Sequence, residues 1–350
     1  LVVASGARLH VSHPIEQPFL VLCTDRLNGM ETYEPADLTL TAGAGTPMGT
    51  LATQLHANRQ WLPFDPPYAD ERFLGGLVAT GESGPLWMGY GELRNHVLGL
   101  TLVTGDGRTL HLGGRVVKNV AGFDLLKAVV GSRGRLGVIT SVCVRAFPEP
   151  ARERLLVLHA EAAKALVPAA RAIGTAPIMP VSSVIVAGVG GVPGARLLVR
   201  LHGAEATVEA DRKTLERHCG VTFETSLDPT RMLVAARDHV TTGELVVRLS
   251  VLPSRLPDAF AAVHDLLGER ALVADTYRAS VRMAAAQDDG KGIGRLRARV
   301  EALGGALAIS AARGVDVRSL ASGVPAPAAS LTKSLEQVFD PKGVLWPNRL

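Results

Sequence analysis

Between Gly113 and Pro148 the chain reads GGRVVKNVAGFDLLKAVVGSRGRLGVITSVCVRAFP, and its chemistry lies in the spacing of its glycines. Gly122, Gly131, Gly134 and Gly137 fall at turns between short apolar runs, a pattern that presents bare backbone N–H groups at a surface. Such groups hold phosphates or the polar edge of a flat ring. Two further clusters, Gly43/Gly45 in LTLTAGAGTPMGTLATQL and Gly75-Gly76 in RFLGGLVATGESGP, would touch a ligand from separate loops. One long ligand is the economical explanation.

Conventional reactive groups are sparse. Cys23, Cys143 and Cys219 are isolated and lack CxxC spacing, so they read as three buried thiols in a reducing cytoplasm, with no iron–sulfur cluster on this chain. Asp106 reads as a turn residue and Asp124 as a helix cap. Arg133 and Arg135, flanking Gly134, read as solvated, and His10 and His13 as ordinary strand or loop residues. Arg200, Arg248 and Arg278 could hold a carboxylate, although surface salt bridges are the commoner fate. No residue stands out as catalytic.

At 350 residues the chain is long enough for two domains with sizeable cores. Its 37 basic and 33 acidic residues are interspersed and aromatics make up only 4%, which argues against a nucleic-acid binder. The longest apolar region, SSVIVAGVGGVPGARLLVRL, is broken by Gly190, Gly191, Pro193, Gly194 and Arg196 and does not read as a membrane span. The start, LVVASGARLH, has neither an initiator Met nor the pattern of a signal peptide.

The elements that must position the glycines follow from periodicity. Val2-Val3 ends a strand that feeds the loop Ala4-Ser5-Gly6-Ala7-Arg8. DLTLTAGAGTPMGTLATQLHAN reads as strand, glycine turn and helix, with Thr46 as cap and Pro47 at the first helical position. It imitates a dinucleotide site, but the third glycine comes one residue late. The Gly75-Gly76 pair predicts a helix packed so closely on something flat that Cβ atoms are excluded. RNHVLGLTLVTGDGRTLHL is a β-hairpin turning at Gly105-Asp106-Gly107, LLKAVVG a short helix ending at Gly131, and LGVITSVCVRAF a buried strand.

From Glu149 to about Gly323, strands (ERLLVLHA, ARLLVRLHG, GELVVRLSVL, GALAISAARG) alternate with amphipathic helices (EAAKALVPAARAIG, ATVEADRKTLERHCG, LPDAFAAVHDLLG, IGRLRARVEALGG). The fold class is α+β, helices on an antiparallel sheet. The tripeptide VRL at Val199–Leu201 and Val247–Leu249 suggests two related βαβ halves. VPAPAAS, Val324 to Ser330, reads as a linker before a last helix, LTKSLEQVFDPKG. The expected domains are 1–148, 149–323 and a tail, 324–350, returning to the first.

The series SGAR, AGAGTPMGTL, FLGGLVATGESGP, YGELRNHVLG, KNVAGFDL and GSRGRLGVIT resembles the FAD-binding domain of the vanillyl-alcohol oxidase / p-cresol methylhydroxylase type. Within it the chain is similar to the FAD-binding subunits of bacterial glycolate oxidases, closely from Ser5 to Pro148 and again in the tail FDPKGVLWPNRL. Set against that family, the chain begins almost at its first phosphate loop, with a preceding helix and strand missing.

The resemblance implies a two-subdomain FAD-binding domain plus an α+β cap domain. It implies cofactor contacts at Ser5, Gly6, Ala7 and Arg8, at Pro67, Gly75, Gly76, Ala79, Ser83 and Gly84, at Lys118, Asn119 and Gly122, at Gly137, Val138 and Ile139, and at Asn348. Ala7 and Arg8 stand where some relatives carry a flavin-linking His, so FAD is expected to be non-covalent. The metal motif HxGDGNxH of catalytic relatives is echoed only by His202-Gly203, so no metal is expected and His202 reads as a strand-end residue.

The implied function is that of the FAD-binding subunit of a glycolate oxidase complex. A second, catalytic flavoprotein subunit and an iron–sulfur subunit would be its partners, in the cytoplasm or at the inner membrane through them. Three alternatives stay open: a stand-alone dehydrogenase of a small 2-hydroxy acid such as D-lactate, a redox-silent assembly subunit, and, more distantly, an NAD enzyme.

Overall fold

The strand at the centre of the N-terminal part forms where β-branched residues are densest. In β8 (Val138–Arg145) Val142 and Val144 are fully buried, and an antiparallel sheet of five strands grows on either side of it. The computed structural model describes residues 2–3, 20–114, 124–189, 193–226, 228–241, 243–312 and 326–345. Within them the chain divides into two compact units. One comprises Leu1–Ser83, Gly91–Glu149 and Gly323–Leu350, the other Gly84–Tyr90 and Pro150–Ser322.

The first unit opens with β1 (Val2–Val3), paired in parallel with β2 (Leu22–Cys23). The five-stranded sheet runs in the order β3 (Met30–Glu34), β4 (Thr39–Gly43), β8, β6 (Val97–Val103), β7 (Thr109–Gly113). A small pair, β5 (Gln60–Trp61) and β9 (Phe147–Pro148), stands beside it. The helices of this unit are α1 (Met48–His56), α2 (Leu74–Thr80), α4 (Leu93–His96), α5 (Leu125–Val129) and α11 (Ala326–Phe339). Leu51, Leu55, Leu74, Leu77, Val78, Val129 and Phe339 from these helices share one core with Leu40, Leu102 and Val142 from the sheet.

Asp124 caps α5 as expected, its carboxylate accepting from the Lys127 N–H. Thr46 does not cap α1. Pro47 takes the cap position with no side-chain bond, while the Thr46 hydroxyl accepts from the Gly29 N–H at 2.9 Å and donates to the Gly43 carbonyl at 2.7 Å. The buried hydroxyl is recruited to join two loops, a partner the linear sequence does not reveal. The expected linker is also partly helix: α11 begins at Ala326, because alanines favour helix and Pro327 falls in the first turn, where no intrahelical N–H is needed.

The second unit is one sheet of eight antiparallel strands. In chain order these are β10 (Arg152–Ala160), β11 (Ser182–Ala187), β12 (Ala195–Gly203), β13 (Glu224–Thr225), β14 (Leu245–Ser250), β15 (Leu272–Asp275), β16 (Ser280–Ala285) and β17 (Ala306–Ala312). Their spatial order is β13-β10-β12-β11-β15-β16-β14-β17. With α6 (Val167–Ile173), α7 (Glu205–Cys219), α9 (Leu256–Leu267) and α10 (Gly290–Ala302), each half is a β-α-β-β-α-β unit. In each, a strand and the strand after its helix lie parallel with another strand between them. The two halves join where β11 pairs with β15.

The duplication is therefore larger than two βαβ units, and the VRL tripeptides are not equivalent. Val199–Leu201 lies in the third strand of its half, Val247–Leu249 in the first strand of the other. Sequence reading missed β11, β15 and β16, because their apolar runs are short and sit beside glycines and turns. The four long helices cover one face of the sheet. On the other face Leu155, Val157, Val184, Val186 and Leu198 pack with Ala236 of α8 (Pro229–Asp238).

The segment Gly84–Tyr90, which carries α3 (Trp87–Tyr90), belongs to this second unit. Gly89 donates its N–H to the Val181 carbonyl, and a Cβ at Gly89 would stand 2.7 Å from Val181 Cα. Trp87 donates its indole N–H to Asp275, and the Arg278 guanidinium stacks 3.7 Å above its ring.

The thiols are not all buried. Cys143 is buried and Cys219 half-buried, but Cys23 is exposed, since the two-residue β2 is exposed at both positions. Among the described residues no helix is long and apolar enough to cross a membrane.

Candidate functional site

In the first unit the candidate cofactor residues gather around α2. Leu74, Gly75, Leu77 and Val78 face inward and are buried, while Gly76, Ala79, Thr80 and Ser83 are half-buried. Gly75 is required by what lies beneath it: an added Cβ would stand 2.5 Å from Ala44 Cβ and 2.9 Å from the Ala44 carbonyl oxygen. The flat surface expected under this helix is thus, on the Gly75 side, the protein's own loop.

The loop after α5 joins the same place. Gly131 donates its N–H to the Val78 carbonyl and Arg133 to that of Ala79, and Ala44 donates to Thr140 at the start of β8. Gly137, Val138 and Ile139 are buried there, with Ile139 in the core. Pro67 is buried in the turn before α2, Ser83 accepts from the Leu93 N–H, and Gly84 lies in the other unit. Ser5, Gly6, Ala7, Arg8, Lys118, Asn119, Gly122 and Asn348 lie outside the described residues.

The bare-amide reading of the glycines fails at several positions. The N–H groups of Gly43, Gly45, Gly75, Gly81 and Gly131 are each taken by a protein carbonyl. Here glycine serves close approach between segments: a Cβ at Gly45 would stand 1.9 Å from the Thr24 carbonyl oxygen, and one at Gly81 3.0 Å from Gly131 Cα. Arg135 is not simply solvated either, because its half-buried side chain lies 3.5 Å from Glu336.

Both ends of α2 are tied by an ion pair that sequence reading missed. Arg72, just before the helix, meets Glu82, just after it, at 3.1 Å, with side chains only 5% and 10% exposed. Arg72 also donates to the Thr80 hydroxyl. The outer stripe of α2 therefore carries nothing larger than threonine and is held at both ends. The described residues fit FAD in this respect: a strip free of bulky side chains, edged by hydroxyls, accepts a flat group at close range.

In the second unit the structure assembles a polar cluster. Glu153 of β10 and His202 of β12 are directly opposite in the antiparallel register, on the face away from the four helices. His202, with a side chain 4% exposed, lies 3.4 Å from Glu153 through Nε2. Its Nδ1 is 2.8 Å from the Tyr90 hydroxyl. Arg200 donates to Glu153 at 2.6 Å. Burial alone would raise the Glu153 carboxyl, but the hydrogen bonds and charges of His202 and Arg200 hold it down at about 2. Burial raises the Tyr90 phenol above its usual range; the Arg200 charge opposes this and Glu153 adds to it.

His202 stands at the end of its strand, as expected, and in addition takes part in this cluster. Its one legible signal was the alternate spacing of Arg200 and His202, which puts both on one face of a strand. Arg278 stacks on Trp87, and Arg248 is exposed. Among the described residues no group of three or more His, Cys, Asp or Glu could hold a metal ion.

Two units, one with a glycine-packed helix that has a bare outer stripe and one with a sheet that carries a buried polar cluster, make an α+β architecture. Residues 1–113 match the family described as FAD binding domain. The glycolate oxidase subunit GlcE of Escherichia coli is 38% identical over 151 residues, 43% of this chain and 43% of that protein. The D-lactate dehydrogenase of Archaeoglobus fulgidus is 37% identical over 131 residues, 37% of this chain and 29% of that one. The chain thus matches less than half the length of these curated relatives. A solved alkyldihydroxyacetonephosphate synthase shares the fold, with a TM-score of 0.74 at 15% identity over 100% of this chain and 71% of that one. The similarity over residues 1–113 is thus to an FAD binding domain, and the cofactor is FAD.

Proposed function

We propose that this chain is the FAD-binding subunit of a glycolate oxidase or dehydrogenase complex, oxidising glycolate to glyoxylate and passing electrons to an iron–sulfur partner subunit. The observation that carries this reading is the 38% identity to the glycolate oxidase subunit GlcE. A second flavoprotein subunit completes the proposed assembly, as the similarity to the Bacillus subtilis subunit GlcD, 30% identical over 138 residues, supports. In this reading residues 1–148 bind FAD, 149–323 form the cap, 324–350 return to the FAD domain, and any membrane association comes through partners.

FAD, when bound, supplies the acceptor for two electrons. The chain's part is to seat it without a covalent link. Gly76 and Ala79 on the outer stripe of α2 and Ser83 just beyond it, with Gly137, Val138 and Ile139, are the proposed described contacts. Ser5–Arg8, Pro67, Lys118, Asn119, Gly122 and Asn348 complete the proposed set.

A second reading, a self-sufficient dehydrogenase of a small 2-hydroxy acid, is favoured by the Tyr90–His202–Glu153 cluster, which supplies acid–base groups within this chain. The visible spectrum of the purified chain, before and after glycolate or D-lactate is added without oxygen, tests both. A flavin spectrum that bleaches supports oxidation by this chain, one that persists assigns oxidation to a partner, and a chain that binds no flavin overturns both readings.

A further inference from the structure

We infer that the second unit binds a small oxyanion, a carboxylate or a phosphate group, at Arg248 on the face of β14 and β16 away from the long helices. This reaches beyond the proposed function and does not depend on it. In the antiparallel register Arg248 stands directly opposite Arg282, and Ser250 directly opposite Ser280. Residues opposite each other in such a pair share a face, so two guanidinium stems and two hydroxyls project from one side of two neighbouring strands. The other side belongs to the helices: Leu245, Val247 and Leu249 of β14 and Val281 and Met283 of β16 join their core.

The same sheet face changes character across its width. Beneath α8 it is apolar, with Leu155, Val157, Val184, Val186 and Leu198, whereas on β16 and β14 arginine and serine take such places. Solubility alone does not account for arginines at one level on adjacent strands, because like charges directly opposite destabilise a sheet. An anion held beside them converts that repulsion into attraction, and the planar fork of a guanidinium takes two oxygens of a carboxylate or phosphate at once. The flanking strand leaves room for it: Ala308 and Ala306 of β17 stand opposite Arg248 and Ser250.

Arg248 is the cation left for a ligand. It is exposed, and among the described residues no acidic side chain pairs with it. Asp275, an acid on the same face, stands opposite Ser280 rather than Arg282 and is engaged by the Trp87 indole and by the N–H groups of Tyr277 and Arg278. Glu244, just before β14, lies about 13 Å along the strand from Arg248. The Ser250 and Ser280 hydroxyls, half-buried and without a protein partner among the described residues, can donate to the same anion. Arg282, also half-buried, adds charge from the next strand.

The test is isothermal titration calorimetry of the FAD-loaded full chain at constant ionic strength, with inorganic phosphate, glycolate and D-lactate as probes and chloride as the balancing anion. Saturable binding of phosphate assigns the site to a phosphate group, and saturable binding of glycolate or D-lactate assigns it to a carboxylate. In Arg248→Gln the binding is expected to weaken by at least about tenfold. The control is Arg217→Gln, an exposed arginine of α7 on the opposite side of the sheet, which is expected to keep the parent affinity. Absence of saturable binding for every probe, or binding that Arg248→Gln leaves unchanged, overturns the inference.

The second readout needs no variant. Phenylglyoxal modifies accessible arginines, and mass spectrometry maps them; a saturating probe is expected to protect Arg248 and to leave Arg217 reactive. An Arg248 modified equally with and without the probe overturns the inference. Flavin bleaching enters neither measurement, so a chain that oxidises no hydroxy acid leaves this site standing, and loss of the site leaves the functional reading standing.

Discussion

Arg72 and Glu82 face each other with almost no water to share their charge, so neither tolerates the loss of the other. Removing one partner of a buried pair leaves an uncompensated charge and costs about 3–5 kcal/mol. Glu82→Ala is therefore expected to lower unfolding free energy by that amount, as read from denaturant titration, and to reduce bound flavin by loosening the end of α2. Glu153 shows a charge effect of a different kind. Its folded pKa of about 2 lies below the ordinary value of 4.5. The stabilisation is present above that ordinary value and is lost as pH falls through 4.5 toward 2. Glu153→Gln is expected to flatten the fall in melting temperature over this window, which scans at neutral pH and at about pH 3 would show. Neither effect was visible in the sequence, because Arg72 and Glu82 stand ten residues apart around a helix and Glu153 meets its partners across strands.

Elements differ in what a glycine does for them, and two substitutions separate the cases. Gly75→Ala drives a Cβ into Ala44 at 2.5 Å and must lift α2 off its loop. Overpacking of this kind costs about 1–3 kcal/mol, and the flavin-free fraction should rise with it. Gly294 sits exposed inside α10, where an added Cβ meets nothing within 4 Å. Gly294→Ala is expected to stabilise by about 0.5–1 kcal/mol, measured in the same denaturant titration. The helices and the hairpin were legible because their periodicity and turn chemistry are local. Gly75 and Gly294 look alike in sequence terms, and only the packing partner tells them apart.

At the scale of the whole molecule, the first unit is discontinuous and closes with residues from the far end of the chain. Phe339, 5% exposed, joins the core of the five-stranded sheet. Asp340 accepts the N–H groups of Val344 and Leu345, and Gly105 donates to the Phe339 carbonyl. Phe339→Ala should cost about 3–5 kcal/mol, seen as a lower unfolding midpoint. The FDPKG motif is thus a structural closure: Phe339 enters the core and Asp340 turns the backbone after it. In the second unit the whole-molecule rule is duplication, two β-α-β-β-α-β halves joined at β11 and β15. Sequence periodicity showed alternating helices and strands but not this order, since strand order depends on pairings between distant segments.

By itself the sequence determined the α+β class, the central strand Val138–Arg145, the hairpin at Gly105–Gly107, the capped helix after Asp124 and the flavin family. Each of these rests on local propensity, turn residues or a run of matched loops. Only the tertiary structure decided that glycine amides are consumed by neighbouring carbonyls, that Thr46 joins loops rather than capping a helix, and that Arg200 and His202 share a cluster with Glu153 and Tyr90. The physical reason is that register and packing bring together groups far apart in the chain, 112 residues for Tyr90 and His202 and 188 for Trp87 and Asp275, and the energy of a buried polar contact depends on which groups meet.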